Sequence, residues 1–226
     1  KVEETIVGVE HLEVAIDRLR TEFGLVPRVS DPEVSHLETA RRQAEATGSY
    51  IRQSGGHGHY ARVHLRLEPL PRSEGVVFVN ATLPSEVPTD FIRPTELGVR
   101  EALEKGIRAG YPITDVRVTF VGGRAHVIDS AGKDFWIAGS MAVRQAVRRA
   151  RPALLEPVMR VDVTMGEDHL GAVTGDLGRR RGRVEDIQVR GQMRHVTGEV
   201  PLLEVRGYAT ELRSMTGGRC SFTLEF

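Results

Sequence analysis

One cysteine, Cys220, is all that this chain of 226 residues carries, which excludes an internal disulfide. A lone thiol fits a reducing compartment, and the cytoplasm is the expected location. Aromatic residues make up 5% of the chain, too few for a surface that reads single strands by stacking on their bases. The charges cancel, 31 basic against 31 acidic residues. No long-range field therefore draws nucleic acid in, and any such binding has to come from local clusters. No apolar run approaches membrane-spanning length, and the amino terminus lacks the basic segment and apolar core of a secretory signal. GxxxxGKS and GxxxxGKT are missing, and with them the usual phosphate-cradling loop for GTP; CxxC, HExxH and GxSxG are missing too. A self-contained enzyme is not expected, nor a cofactor or metal held by this chain.

What is present is the make-up of a globular protein, 40% hydrophobic and 27% charged, long enough for one large domain or two small ones. Ile6 to Val9 reads as a short strand. Leu12, Ala15, Ile16, Leu19 and Phe23 then fall on one face of a helix stopped by Gly24, and LVPRV resumes an extended run. These elements look like half of a domain, so a chain that begins inside one is expected to be a fragment. Further on, RVHLRLEP alternates with Val63, Leu65 and Leu67 on one side, VVFVNAT is a second strand, and ITDVRVTFV a third. Val99, Ala102, Leu103 and Ile107 suit a helix, and a longer one runs from about Phe135 to Arg149, with Trp136 packed at its start. The last seventy or so residues order as βαββαβ, the split-βαβ ferredoxin-like arrangement. There Met159, Val161 and Val163 mark a strand and Leu170, Val173 and Leu177 a helix. RVEDIQVR and MRHVTGEV follow as strands, then a helix from Leu202 to Leu212 closed by Gly217 and Gly218. A strand with Cys220, Phe222, Leu224 and Phe226 facing inward comes last. The class is α+β.

Three segments could carry chemistry. RQSGGHGHYARV contains Gly55, Gly56 and Gly58, which let the backbone approach a partner closely. His57 and His59 invite a metal reading, with His64 as a third ligand, but no acidic or cysteine partner lies nearby in sequence. An exposed loop tip with solvated imidazoles is favoured. VGGRAHVIDSAGKD reads as a loop between strand and helix. Arg124, His126 and Lys133 could donate to phosphates there and Asp129 or Ser130 could cap the helix, although a plain polar connection fits equally. In GDLGRRRGRV, one or two of Arg179, Arg180 and Arg181 serve a helix C-terminus. The remainder, ahead of Gly182, make a phosphate clamp, because the planar guanidinium matches phosphate oxygens bidentately.

These segments, in this order, resemble the elongation factor G family along essentially the whole chain. HLEVAIDRLRTEF resembles the helix of that family's domain III, and RQSGGHGHYARV occupies the place of its SGGRGQYG loop. AGYPITD, HVIDS and LLEPVM follow at the expected separations. GDLGRRRG and EVPLLEVRGYATELRSMTGGRCSFTLEF are very close to its domain V. The resemblance implies a partial domain III over residues 1–38, an incomplete ferredoxin-like domain. It implies domain IV over 39–155, similar to domain 2 of ribosomal protein S5 with a left-handed βαβ crossover, and a ferredoxin-like domain V over 156–226. The right-handed rule would have led to the opposite crossover.

It also implies the ribosome as partner, through rRNA and the tRNA–mRNA pair in the decoding region, with a monomeric chain and no membrane. The tip would comprise Ser54, Gly55, Gly56, His57, Gly58, His59 and Tyr60, together with Arg124, His126, Asp129, Ser130 and Lys133. His126 falls where the family carries a histidine important for translocation. Arg179, Arg180, Arg181 and Gly182 would face large-subunit RNA. GTP and Mg would belong to a GTPase domain of the parent factor that is outside this chain. His57 and His59 stand where the family usually has arginine and glutamine, Ala61 where it has glycine, Val127 where it often has aspartate, and GVEHLE replaces GMGELHLE. These departures point to a divergent paralogue. A ribosomal protection protein of the tetracycline-resistance type and a stand-alone RNA-binding module are the alternatives.

Overall fold

The computed structural model describes residues 9–27, 34–53 and 58–226. The chain divides into two units, residues 1–33 and residues 34–226. In the first, α1 (Val9–Thr21) covers most of the expected helix, and Gly24 at φ +64° breaks it. The expected strand at Ile6 to Val9 lies outside the described residues but for Val9, which opens the helix.

The second unit opens with β1 (Leu37–Thr39), β2 (Ala44–Arg52), β3 (His59–Pro69) and β4 (Val76–Asn80), then α2 (Ile92–Glu104), β5 (Val116–Ala125) and α3 (Gly132–Arg149). Its first sheet has the order β2-β3-β5-β4, antiparallel apart from the parallel pair β4 and β5. Val63, Leu65 and Leu67 on β3 and Val116, Val118 and Phe120 on β5 all point into the core at 0% exposure. Each such side chain contributes about 1.5–3 kcal/mol by leaving water. Phe135 of α3 stacks on Phe91 with ring centroids 4.4 Å apart, and Trp136 donates from its indole Nε1 to Glu101 at 3.3 Å.

Close approach decides the helix layer. A β-carbon at Gly48 would overlap the Ala138 carbonyl, and one at Gly98 would overlap the Trp136 carbonyl. Thus α3 lies directly on β2 and α2 directly on α3. The strand β2 was not read from the sequence. The segment Val121–Ala125, expected in a loop, instead completes β5 and pairs with β3 past a register shift at His64/Leu65.

A short ribbon of β1 with β6 (Ala153–Leu155) leads to the second sheet. Its strands are β7 (Val158–Gly166), β8 (Arg183–Arg190), β9 (Met193–Pro201) and β10 (Cys220–Glu225), with helices α4 (Leu170–Arg179) and α5 (Tyr208–Thr216). The order β10-β7-β9-β8 is wholly antiparallel, so the ferredoxin-like βαββαβ expectation holds. Two details differ. The helix expected from Leu202 to Leu212 is a 3-10 turn, Leu202–Val205, and then α5, because Gly207 takes φ +67° between them. Phe226 lies beyond β10 and is 93% exposed.

Glu38 organises the end of the first sheet where the α2–β5 loop lies. Its side chain is 0% exposed. Its carboxylate accepts from the backbone N–H of Ala109 at 2.6 Å, Arg108 at 3.0 Å, Gly110 at 3.1 Å, Tyr111 at 3.3 Å and Ile107 at 3.4 Å. Burial alone would push this carboxyl up, but the N–H donors of Ala109, Arg108, Tyr111 and Ile107 together outweigh it and hold the group below the ordinary carboxylate range.

Candidate nucleic-acid interface

Strands β2, β3 and β5 and the start of α3 bring two sequence-distant loops to one end of the first sheet, the tip. Residues 54–57 lie outside the described residues, so Ser54, Gly55, Gly56 and His57 have no structural account. The rest of the tip is knitted by hydrogen bonds across it. Gly58 donates its N–H to Asp129 Oδ1 at 3.0 Å, across 71 residues of sequence, and Tyr60 N–H donates to the Asp129 carbonyl at 2.8 Å. The Ser130 hydroxyl donates to the Tyr60 carbonyl at 2.5 Å and accepts from His126 N–H at 2.7 Å. His126 Nδ1 faces Asp129 N–H at 3.2 Å and Asp129 Oδ2 at 3.0 Å. The neutral ring with Nδ1 bare accepts the first; the protonated ring donates to the second. Either way Nε2 is left for a partner.

His59 is used differently. Its Nδ1 lies 2.9 Å from Asp134 Oδ1, and the other Asp134 oxygen accepts from the Ala131 N–H at 3.0 Å. Asp134 is buried and closes the first turn of α3 in the manner of half a capping box, so His59 braces that turn. Arg124 and Lys133 are exposed beside it. The positive end of the α3 dipole points the same way. Sequence reasoning did not single out the exposed apolar pair of the β5–α3 turn, where Val127 is 101% and Ile128 71% exposed. Two consecutive apolar residues in a polar turn were the available signal. No group of His, Cys, Asp or Glu among the described residues has the arrangement to hold a metal.

In the second sheet's unit the three arginines part ways. Helix α4 ends in a Schellman turn: Gly182 N–H donates to the Leu177 carbonyl at 2.8 Å and Arg181 N–H to the Gly178 carbonyl at 3.1 Å. The left-handed residue of that turn is Arg181, at φ +57°, a position usually given to glycine. Arg180 turns inward, 13% exposed, with Nε on Asp176 Oδ2 at 2.8 Å. It also meets the Glu211 carboxylate and the Glu204 carbonyl, and lies over the Tyr208 ring at 5.0 Å. Arg180 is thus one of the arginines that serve the fold, because Asp176 one turn earlier and Glu211 on α5 face it together. Arg179 is 75% exposed while touching Asp176 Oδ1 at 2.9 Å. Arg181 is held by Glu156 and Glu204 and remains half exposed.

Comparisons with known proteins agree with this anatomy. The family model described as "Elongation factor G, domain IV" matches residues 32–151, and the one described as "Elongation factor G C-terminus" matches residues 153–226. The chain is 43% identical over 228 residues to elongation factor G of Thermotoga petrophila, covering 99% of this chain and 33% of that protein. It matches elongation factor G of Thermotoga sp. (strain RQ2) to the same extent. The crystal structure of a Thermus thermophilus protein superposes with a TM-score of 0.80 at 37% identity, over 97% of this chain and 33% of that one. The chain thus spans about a third of the length of the curated relatives it matches.

Proposed function

The chain belongs to the elongation factor G family, and from that premise we propose that it is the ribosome-engaging part of a GTP-dependent translocase. In this reading residues 1–38 are part of domain III, 39–155 are domain IV and 156–226 are domain V. The tip residues named above enter the decoding region of the small subunit and follow the tRNA–mRNA pair. Arg179 and Arg181 face large-subunit RNA. GTP and Mg are held elsewhere in the parent factor, where the hydrolysis also occurs, and the location is the cytoplasm.

The observation that carries the proposal is the tied tip. Asp129 and Ser130 lock the β5–α3 loop to the start of β3 through Gly58 and Tyr60, so that loop and the start of β3 form one tied end. That end offers His126, Arg124, Lys133 and a helix N-terminus to phosphates and sugars. Its exposed Val127 and Ile128 supply volume. Such a wedge makes and breaks no bond. It raises the free energy of back-slippage by binding the moved state better than the unmoved one, and it acts only through that difference.

The test is sedimentation of the chain with 70S ribosomes at two salt concentrations. Binding should weaken at high salt, because phosphate contacts release counterions, and Arg179→Ala should reduce the log–log salt slope by ~0.7–0.9. Sedimentation that ignores both salt and Arg179 would count against the reading.

A further inference from the structure

We propose a second phosphate-binding surface, at the end of the first sheet remote from the tip, formed by Arg41, Arg42, Arg108 and Arg151 and shaped to grip the sugar–phosphate backbone of structured RNA. It goes beyond the tip and Arg179, and no part of it is shared with them. Arg41 and Arg42 lie between β1 and β2, Arg108 between α2 and β5, and Arg151 directly after α3. The 18 residues of α3 separate this end from the tip, a span of ~27 Å at 1.5 Å per residue.

The four arginines, with Pro152, line an open cavity of about 620 Å³. Some arginines of the chain pair with carboxylates, as Arg66 does with Glu45, Arg100 with Glu96 and Arg194 with Glu167. Others, Arg93 and Arg117 included, stand singly without an ion pair among the described residues; what sets Arg41, Arg42, Arg108 and Arg151 apart is that they converge on one cavity. Among the described residues these four have no ion pair. Arg42 Nε donates to the Arg149 carbonyl at 2.9 Å and Arg108 Nη1 to the Pro152 carbonyl at 2.7 Å. Those bonds aim two planar forks and leave most of their N–H donors unused. The side chains of Arg41 and Arg151 make no hydrogen bond among the described residues, and Arg151 sits at φ +53°, a conformation glycine or asparagine takes more readily. Glu38 on β1 forms no ion pair with any of them; its carboxylate is saturated by the loop's own N–H groups. Four like charges around one cavity repel each other unless an anion lies between them.

The lining identifies the ligand. Among the described residues it has no aromatic side chain and only one apolar residue, Pro152, so these residues offer no pocket for a base and recognition rests on phosphate geometry. The guanidinium fork matches that geometry bidentately. The cavity opens to solvent and is wider than a single phosphate, so a continuous backbone can lie across it.

The experiment is fluorescence anisotropy of a labelled RNA hairpin titrated with the 226-residue chain at two salt concentrations. The variants are Arg41→Gln with Arg151→Gln, and a charge-matched control with Arg93→Gln and Arg117→Gln. The cavity variant should bind ~10-fold or more weakly at low salt, and its salt slope should fall by about 1.8, two phosphates' worth. The control should change affinity less than about twofold. An unchanged cavity variant, or an equal loss in the control, overturns the proposal. So does a polyglutamate peptide that displaces the hairpin at equal charge, since it would make the partner an acidic protein. Both replaced side chains are exposed, so loss of folding is not expected, and the circular dichroism melt of each variant checks it. Failure here leaves the tip and Arg179 untouched, so the ribosomal reading stands or falls separately.

Discussion

Glu38→Ala is expected to be the most destabilising single change in the first sheet's unit. The substitution removes one carboxylate and strands five backbone N–H groups, those of Ile107 to Tyr111, around the space it leaves. A buried donor left without a partner costs about 1–3 kcal/mol. Even with partial relaxation and entry of water, the loss should reach about 3 kcal/mol or more, read as a lower denaturant midpoint. Glu38→Gln keeps the shape but offers an amide group to a ring of donors, so it should recover only part of the loss. The pH dependence has a definite sign. Because the folded group titrates below the unfolded one, its contribution is fully present above the ordinary carboxylate range. It is lost as pH falls through the depressed folded value. Acid unfolding should therefore be less steep in Glu38→Gln than in the wild type.

Asp176→Ala should be comparably damaging to the second sheet's unit. Asp176 is 3% exposed and answers two arginines. Removing it leaves Arg180, itself mostly buried against Tyr208, with Glu211 as its only remaining carboxylate among the described residues. Breaking a buried pair from one side typically costs 3–5 kcal/mol, because the surviving charge stays desolvated. Thermal unfolding of Arg179→Ala should by contrast lie close to wild type, since an exposed pair contributes about 0–1 kcal/mol. The contrast separates a residue that holds the fold from its immediate neighbour that is available to a partner.

Much of this was legible in the sequence, and the failures have physical causes. Strands β3, β5 and β7 show a period-two alternation because each has one face in a core. Strand β2 does not: Ala44, Ala46 and Gly48 are small because α3 lies directly on them, so the buried face lacks the large side chains that mark a strand. The pair Gly122–Gly123 reads as a loop, yet it lies in β5, where a β-carbon at Gly123 would collide with the Arg62 carbonyl. The tip loops were recognisable from glycine and from resemblance. The bond between Gly58 and Asp129 was not, nor the pairing of His59 with Asp134 across 75 residues. In the arginine triplet, Asp176 stands four residues before Arg180, a helical pairing distance, but was not read as its partner. Glu211, which completes the inward turn of that side chain, arrives from another helix and leaves no local trace.

The most direct measurement of the central claim uses the chain's single cysteine. With Cys220→Ser to clear the background and Val127→Cys in the exposed β5–α3 turn, an iron chelate attached to the new thiol would release hydroxyl radicals from the tip. On 70S ribosomes, at concentrations where the chain sediments with them, strand scission should concentrate in small-subunit rRNA of the decoding region. Scission confined to other parts of the ribosome, or none while the chain is bound, would contradict the placement of the tip.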